Sequence, residues 1–189
     1  FVQHYLSMKR ALSPKDKDKQ DIVIGRLYPE YKAWIESVPA PFSSVEQELQ
    51  DFTAYADRFA LIVRPEADTA LGRFARHLRV LDISTVYPLV LGLLGDAALP
   101  ETERTGIYQD LESFLIRRMV CGSPTKNYNK VFLQLLKDFM AQPDHSRAGF
   151  RSLLAAGSAD TNKWPDDSDF EKSWLQIDAY QDLKPAKVE

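Results

Sequence analysis

Residues 110–139 read DLESFLIRRMVCGSPTKNYNKVFLQLLKDF and form the most informative stretch of the chain. Apolar residues recur at helical spacing up to Met119, and Gly122 and Pro124 then interrupt the pattern. Asn127 offers an N-cap for a second amphipathic helix. The stretch therefore predicts two helices joined by a tight polar loop. Their apolar faces consist of Leu111, Phe114, Leu115 and Met119 and of Val131, Leu135, Leu136 and Phe139.

A dense group of hydrogen-bond donors surrounds this loop, and such a group either joins two helices or binds an anion. Helical spacing puts Arg118 on the apolar face, whereas Arg117 points away from it. A buried arginine is costly unless it is paired, so Arg118 is expected to reach the carbonyls of residues 122–125 or a buried carboxylate. The alternative is a contact with phosphate or a nucleotide. The candidate structural or phosphate-contacting cluster is Arg117, Arg118, Thr125, Lys126, Asn129 and Lys130.

The same stretch contains the ordered motifs RR, CG, PT and YNK, beginning at Arg117. Other motifs occur along the chain in a consistent order. They are FVQHYLSMK from Phe1, LYPEYKAWI from Leu27, YADRF from Tyr55, LRVLDISTVYPLVL from Leu78 and WPDDSDFEKSW from Trp164. Together these motifs cover most of the chain, and the set resembles the helical region of the GmrSD-type restriction endonuclease family.

The resemblance implies a particular domain context. In that family a ParB-like nucleotide-binding domain precedes the helical region, and an HNH-type nuclease domain often follows it. This sequence contains neither a DGQQR-like motif nor a His-rich nuclease signature. We therefore expect a middle piece of a larger modification-dependent or anti-phage restriction protein. The resemblance assigns nucleotide and divalent metal to the flanking domains, and none to this segment.

Composition limits the class of protein. The 189 residues are 44% hydrophobic and 27% charged, which is typical of one or at most two soluble globular domains. The net charge of −3 argues against a surface wholly devoted to nucleic acid, although a weak local DNA contact stays open. No apolar run approaches the roughly 20 residues of a membrane-spanning helix. The single cysteine, Cys121, favours a reducing, cytoplasmic setting.

Candidate catalytic and metal-binding residues are scattered. His4, His77 and His145 lie far apart and lack the spacing of a metal site. Cys121 follows a helix C-terminus, where the dipole raises a thiol pKa, so an inert cysteine is expected. Phosphate-binding glycine motifs are missing from the sequence. We therefore predict no catalytic, metal or cofactor site in this segment.

The remaining sequence predicts further helices separated by short turns. A break is expected near Pro29, because proline removes a backbone donor and clashes with the preceding turn. Ser43 with Glu46 matches a capping box. The apolar segment 85–94 leaves a buried helix or a buried strand open, and Pro88 favours the helix. The expected helices are 1–12, 22–38, 44–63, 67–80, 85–94, 100–118, 128–139, 143–157 and 167–177.

Two aromatic-rich helices are expected to turn one face toward the core. The inward residues are Tyr28, Tyr31, Trp34 and Ile35 in one helix, and Val45, Leu49, Phe52, Ala56, Phe59 and Ala60 in the next. The whole pattern predicts an all-α fold, an irregular multi-helix bundle around one core. We expect a single helical domain over residues 1–177 and a flexible tail over residues 178–189.

Three functional hypotheses remain. By resemblance, the chain is a non-catalytic helical scaffold or linker domain whose partners are the flanking domains. The alternative is a free-standing helical protein-interaction module, and the sequence beyond Phe1 and Glu189 would separate the two. The third is a helical domain that contacts the DNA backbone. Its basic face would be Arg73, Arg76, His77 and Arg79, which otherwise form a solvated helix surface.

Overall fold

The computed structural model describes residues 1–13, 22 and 24–178. Helices account for 66% of these residues, and no strand occurs among them, so the predicted all-α fold is confirmed. A short 3₁₀ turn, Ile24–Arg26, precedes the second helix. The α-helices of the described residues are α1 (Val2–Ala11), α2 (Leu27–Ile35), α3 (Val45–Val63), α4 (Ala70–Leu81), α5 (Tyr87–Gly95), α6 (Glu101–Val120), α7 (Tyr128–Met140), α8 (Arg147–Ala155) and α9 (Asp167–Trp174).

Helix α5 lies at the centre of the bundle and contacts α1, α3 and α7. Residues 88–93 of α5 are all buried, as expected of a helix that is apolar on every side. Pro88 lies in its first turn, where its missing amide donor costs nothing. At Gly92 a Cβ would come within 2.5 Å of Leu136 in α7, so glycine permits the close approach of the two helices. Residues 85–94 therefore contribute a buried helix, and the strand alternative is wrong.

Helix α6 organises the other half of the bundle. It packs against α4, α8 and α9, and α7 packs against α8. The buried side chains of both halves form one continuous apolar core. The predicted domain end at residue 177 stays a prediction, because residues 179–189 lie outside the described residues.

Several predictions about the N-terminal helices are wrong. Helix α2 continues through Pro29, because this proline occupies the first turn, where helical amides have no partner inside the helix. Tyr28 was expected in the core but is 77% exposed. The cap of α3 is Ser44, whose hydroxyl accepts a hydrogen bond from the Gln47 amide at 3.2 Å. The Gln47 side chain accepts from the Ser43 amide at 2.7 Å, so the predicted Ser43–Glu46 capping box is wrong and the N-cap lies one residue further along the chain.

The predicted stripe on α3 is buried only in part. Phe52 and Phe59 pack against the core, whereas Val45 and Leu49 are exposed. Ala60 is also exposed. The reason is that periodicity identifies an apolar face without showing which element covers it: α1 packs on Phe52, whereas Val45 and Leu49 stay exposed.

The remaining differences concern helix ends. Asn127 holds the N-cap position of α7 in a left-handed conformation, and its side chain makes no capping hydrogen bond. Helix α8 begins after Ser146 rather than at Pro143, because the Ser146 hydroxyl caps the Gly149 amide. Helix α9 ends at Trp174, three residues earlier than predicted.

Candidate functional site

Arg118 lies in the interior of the protein, with an exposed fraction of 0%. Its Nε donates to the Tyr128 hydroxyl at 3.0 Å, and its Nη1 donates to the Lys163 carbonyl at 2.7 Å. Its Nη2 donates to the carbonyls of Pro124 and Asp160 at 2.8 and 2.9 Å. The guanidinium thus joins the end of α6 to the α6–α7 loop, to α7 and to the loop before α9.

The Arg118 contacts include the carbonyl of the 122–125 loop that the sequence suggested. The two carbonyls of the later loop could not be foreseen, because they lie 42 and 45 residues further along the chain. The rings of Phe114 and Tyr128 lie 5.3 and 5.4 Å from the guanidinium carbon and add a cation–π contribution. In this geometry Arg118 cannot touch a phosphate without leaving its four acceptors.

The other members of the predicted cluster do not converge with Arg118. Arg117 donates to the Pro165 carbonyl at 3.2 Å and forms an ion pair with Asp167 at 2.5 Å. Its guanidinium also lies 5.3 Å from the Phe170 ring, so it fastens α9 to α6. Thr125, Lys126 and Lys130 are exposed, and Asn129 is half-buried. The structure therefore separates a buried arginine from a set of surface residues.

A second buried ionic group involves Asp110, which is 2% exposed. Its carboxylate accepts two hydrogen bonds from Arg147, at 2.8 and 2.9 Å, and one from Arg151 at 2.6 Å. The hydrogen bond to Asp110 is the main cause that raises the pKa of Arg147. Arg151 also stacks over the Trp164 ring at 4.9 Å. Sequence reasoning missed this cluster, although the helical spacing of Asp110 with Phe114 places both on the buried face.

Four buried polar atoms without a hydrogen bond belong to residues in or next to α5, α6 and α8. They are Asp96 Oδ2, Arg104 Nε, Tyr108 Oη and His145 Nδ1, and among the described residues only Trp164 Nε1 joins them. His145 Nδ1 and Asp96 Oδ2 lie 2.5 Å apart without the angular geometry of a hydrogen bond. These two atoms are therefore partners of each other, which leaves Arg104 Nε, Tyr108 Oη and Trp164 Nε1 as the buried polar atoms of the described residues with neither a hydrogen bond nor an ion-pair contact.

A concave, mostly apolar surface lies between α1, the 3₁₀ turn, α2 and α3, and we call it the α2–α3 groove. Its volume is about 610 Å³. It is lined by Val2, Ile24, Gly25, Leu27, Tyr28, Tyr31, Glu48, Leu49 and Phe52. Leu49 is 59% exposed, and Tyr28 is more exposed still. Sequence reasoning assigned both residues to the core, so the groove was not foreseen.

The floor of the groove is held in place by aromatic packing. The Phe52 ring meets the rings of Phe1 and Tyr5 edge to face, with centroids 4.9 and 5.2 Å apart. The Tyr31 hydroxyl donates to the Glu48 carboxylate at 2.8 Å. Burial, with this hydrogen bond second, raises the pKa of Tyr31, so the hydroxyl stays protonated. The groove is thus a preformed surface whose single carboxylate already has a donor.

The basic face of α4 is solvated. Arg73, Arg76 and Arg79 are exposed and donate to backbone carbonyls near the α3–α4 connection, at 3.3, 3.0 and 2.8 Å. His77 Nδ1 lies 2.6 Å from Glu112 of α6. These contacts tie α4 to its neighbours, and they direct part of the basic surface toward the protein itself.

Neither a cluster of metal ligands nor a membrane-spanning helix is found among the described residues. No group of three potential metal ligands occurs within the described part of the chain. Cys121 is half-buried at the C-cap of α6. Over the same residues, none of the helices combines the length and the apolar character needed to cross a membrane.

Comparison with known proteins gives no relative for this arrangement. No protein family matches the sequence, no curated protein is similar enough to match, and no solved structure matches the fold. The resemblance to the GmrSD-type family therefore stays a prediction that rests on the motifs quoted above.

Proposed function

We propose that this chain is a non-catalytic helical scaffold domain that packs against a neighbouring domain of the same polypeptide through the α2–α3 groove. The observation that carries the proposal is the groove itself. Its apolar and aromatic side chains lie open to solvent on a rigid floor. A concave surface lined mostly by apolar and aromatic side chains has the usual character of a binding groove.

The composition of the groove suits a protein partner. Aromatic residues are enriched at protein interfaces, and Tyr28, Tyr31 and Phe52 all line the groove. A partner that covers it would desolvate apolar surface at little electrostatic cost, because Glu48 already accepts a hydrogen bond from Tyr31. An apolar helix face or loop is therefore the occupant that the chemistry favours.

The position of the groove favours a domain on the N-terminal side as that partner. Val2 lines the groove, so a polypeptide that preceded Phe1 would leave α1 beside it. The GmrSD-type resemblance supports the same arrangement, with a nucleotide-binding domain before this region and a nuclease domain after it. In this proposal the whole protein is a cytoplasmic, modification-dependent or anti-phage restriction factor.

The buried ionic groups support a mechanical role. Arg118 holds α6, α7 and the loop before α9 together, and Asp110 holds α6 to α8. These contacts make the bundle a stiff body that can keep two neighbouring domains in a fixed relation. Both groups are engaged with the protein's own side chains and carbonyls, which favours a structural role for them over a catalytic one.

The experiment compares two double variants in the complete gene product. Tyr28→Ser with Leu49→Ser removes the apolar character of the groove. Trp174→Ser with Leu175→Ser removes two exposed apolar residues at the end of α9, which do not line the groove, and serves as the control. We expect the groove variant to lose restriction of phage while the control retains it, and the isolated chain to keep its melting temperature in both.

Equal restriction by the two variants would contradict the proposal. So would a gene product that contains no further domain. In that second case the groove would belong to a free-standing interaction module with a separate protein partner.

A further inference from the structure

One face of α4 concentrates positive charge in a protein whose net charge is negative. Its exposed residues include Arg73, Arg76, His77 and Arg79. Residues 63–81 contain four arginines and only two carboxylates, neither of them within α4, whereas the whole chain has a net charge of −3. Positive charge is therefore gathered on this side of the bundle. We call Arg73, Arg76 and Arg79 the arginine row.

The backbone of the α3–α4 connection holds the arginine row in a fixed order. Each arginine donates one hydrogen bond to a backbone carbonyl. The three pairs are Arg73 with Asp68 at 3.3 Å, Arg76 with Ala67 at 3.0 Å and Arg79 with Val63 at 2.8 Å. The connection therefore runs antiparallel beside α4. Because a guanidinium has five N–H donors, one such bond orients each side chain and leaves most of its donors available.

The arginine row has no counter-ion within the described part of the chain. None of its members forms an ion pair with a carboxylate there. Glu112 of α6 lies 2.6 Å from the His77 ring, and Glu66 of the connection lines a cavity shared with α6. Surface charge that is oriented and uncompensated attracts partners of the opposite sign, so the row favours an anionic partner.

Exposed apolar side chains accompany the row and favour a protein as that partner. Val80 is 45% exposed and follows Arg76 by four residues, so the two lie on the same face of α4. Val63, whose carbonyl accepts from Arg79, is 36% exposed. Interfaces with nucleic acid are more polar and far more positively charged than interfaces between proteins. Protein interfaces, in contrast, commonly combine arginine with apolar side chains.

The spacing of the row indicates the shape of the partner. Consecutive arginines are three residues apart, which corresponds to about 4.5 Å along the helix axis. Carboxylates three or four residues apart on another helix are separated by about 4.5–6 Å along that axis, and a carboxylate suits the planar fork of a guanidinium. We propose that the arginine row binds an acidic amphipathic helix of a protein partner, whose small apolar side chains contact Val63 and Val80. These residues do not line the α2–α3 groove, so this surface is independent of the proposed function.

The test measures fluorescence anisotropy of a labelled helical peptide mixed with the full chain. In this peptide of about 20 residues, long enough to form a helix, glutamates recur every three or four positions with alanine or valine between them. The peptide should bind at low ionic strength and more weakly as salt is added, because exposed ion pairs are screened. Its form with glutamine at every glutamate should bind about tenfold more weakly or worse. Duplex DNA of about 20 base pairs should bind more weakly than the acidic peptide, because the net charge of the chain opposes a polyanion.

Two triple variants locate the contact on the protein. The row variant combines Arg73→Gln, Arg76→Gln and Arg79→Gln. The control combines Lys126→Gln, Lys130→Gln and Lys172→Gln, which remove the same charge from exposed positions outside α4. The row variant should bind the acidic peptide about tenfold more weakly, because three surface ion pairs are lost, and the control should keep the parent affinity.

A milder variant keeps the test decisive if the row variant does not fold. Arg73→Gln alone removes the longest of the three hydrogen bonds to the connection and should weaken peptide binding about threefold. No binding of the acidic peptide to the parent chain would overturn the proposal. So would equal binding of its glutamine form, tighter binding of the DNA, or equal affinity of the row or Arg73→Gln variant and the control.

Discussion

Replacing Arg118 should destabilise the protein far more than replacing its neighbour Arg117. Arg118→Met retains most of the apolar volume but removes every donor. Four acceptors then lose their partner, namely the Tyr128 hydroxyl and the carbonyls of Pro124, Asp160 and Lys163. At about 1 kcal/mol for each orphaned acceptor, the low end of the range, the loss is about 4 kcal/mol. This agrees with the roughly 3–5 kcal/mol for breaking a buried charged network.

The assay is urea and thermal unfolding of the isolated chain. For a protein of this size, a loss of about 4 kcal/mol lowers the melting temperature by about 8–16 °C. Arg117→Met is the matched control. Its main ion pair involves the exposed carboxylate of Asp167, so we expect a cost below about 1 kcal/mol. Equal and small effects of the two substitutions would refute the view that Arg118 ties the helices together.

Four further outcomes are expected. Asp110→Asn should cost about 2–4 kcal/mol in urea unfolding, because the buried carboxylate loses its charge while its two arginine partners remain partly solvated. Tyr108→Phe should raise the free energy of unfolding by about 1 kcal/mol, because the buried hydroxyl has no hydrogen-bond partner among the described residues. Burial, and secondarily the N-terminal amine, lowers the pKa of His4 to about 4. Below pH 6.5 the unfolded chain therefore binds a proton that the folded chain does not, and the free energy of unfolding falls as the pH drops from about 6.5 to 4. His4→Gln should reduce this dependence of the free energy of unfolding on pH. The isolated chain should cleave neither DNA nor nucleotide with magnesium or manganese, and a cleavage activity abolished by a point change within it would contradict the scaffold proposal.

Periodicity predicted the helices that decide the fold. The expected helix at residues 44–63 differs by one residue from α3, Val45–Val63. The same reasoning located the two helices around residues 110–139 and the buried helix at residues 85–94. These assignments succeeded because the spacing of apolar residues along a helix is a local property, which tertiary contacts rarely reverse in long segments.

Helix ends and the burial of particular residues were less predictable. The prediction of a break at Pro29 is wrong because α2 begins at Leu27, only two residues before the proline. In this first turn the amide that proline lacks would have no partner inside the helix. Val45, Leu49 and Tyr28 were placed in the core because they are apolar or aromatic and fit the periodic face. Their exposure depends on which helices lie nearby, and that information is non-local.

The sites illustrate the same limit. Helical spacing identified Arg118 as a buried arginine, but its partners at Asp160 and Lys163 come from a loop that folds back onto α6. The Asp110 cluster and the unpaired hydroxyl of Tyr108 depend on contacts between α6 and distant elements. A charged residue at a core position, such as Asp110, is nevertheless a signal that sequence reasoning could have used.

Hydrogen exchange of the α2–α3 groove tests the central claim most directly. Amide exchange is measured in the isolated chain and in the complete gene product under the same conditions. We predict slower exchange at residues 24–31 and 45–52 in the complete product, because a neighbouring domain covers the groove. Exchange in α7, whose core side chains are already buried in this chain and which does not line the groove, should not change. Identical exchange of the groove residues in the two proteins would contradict the account.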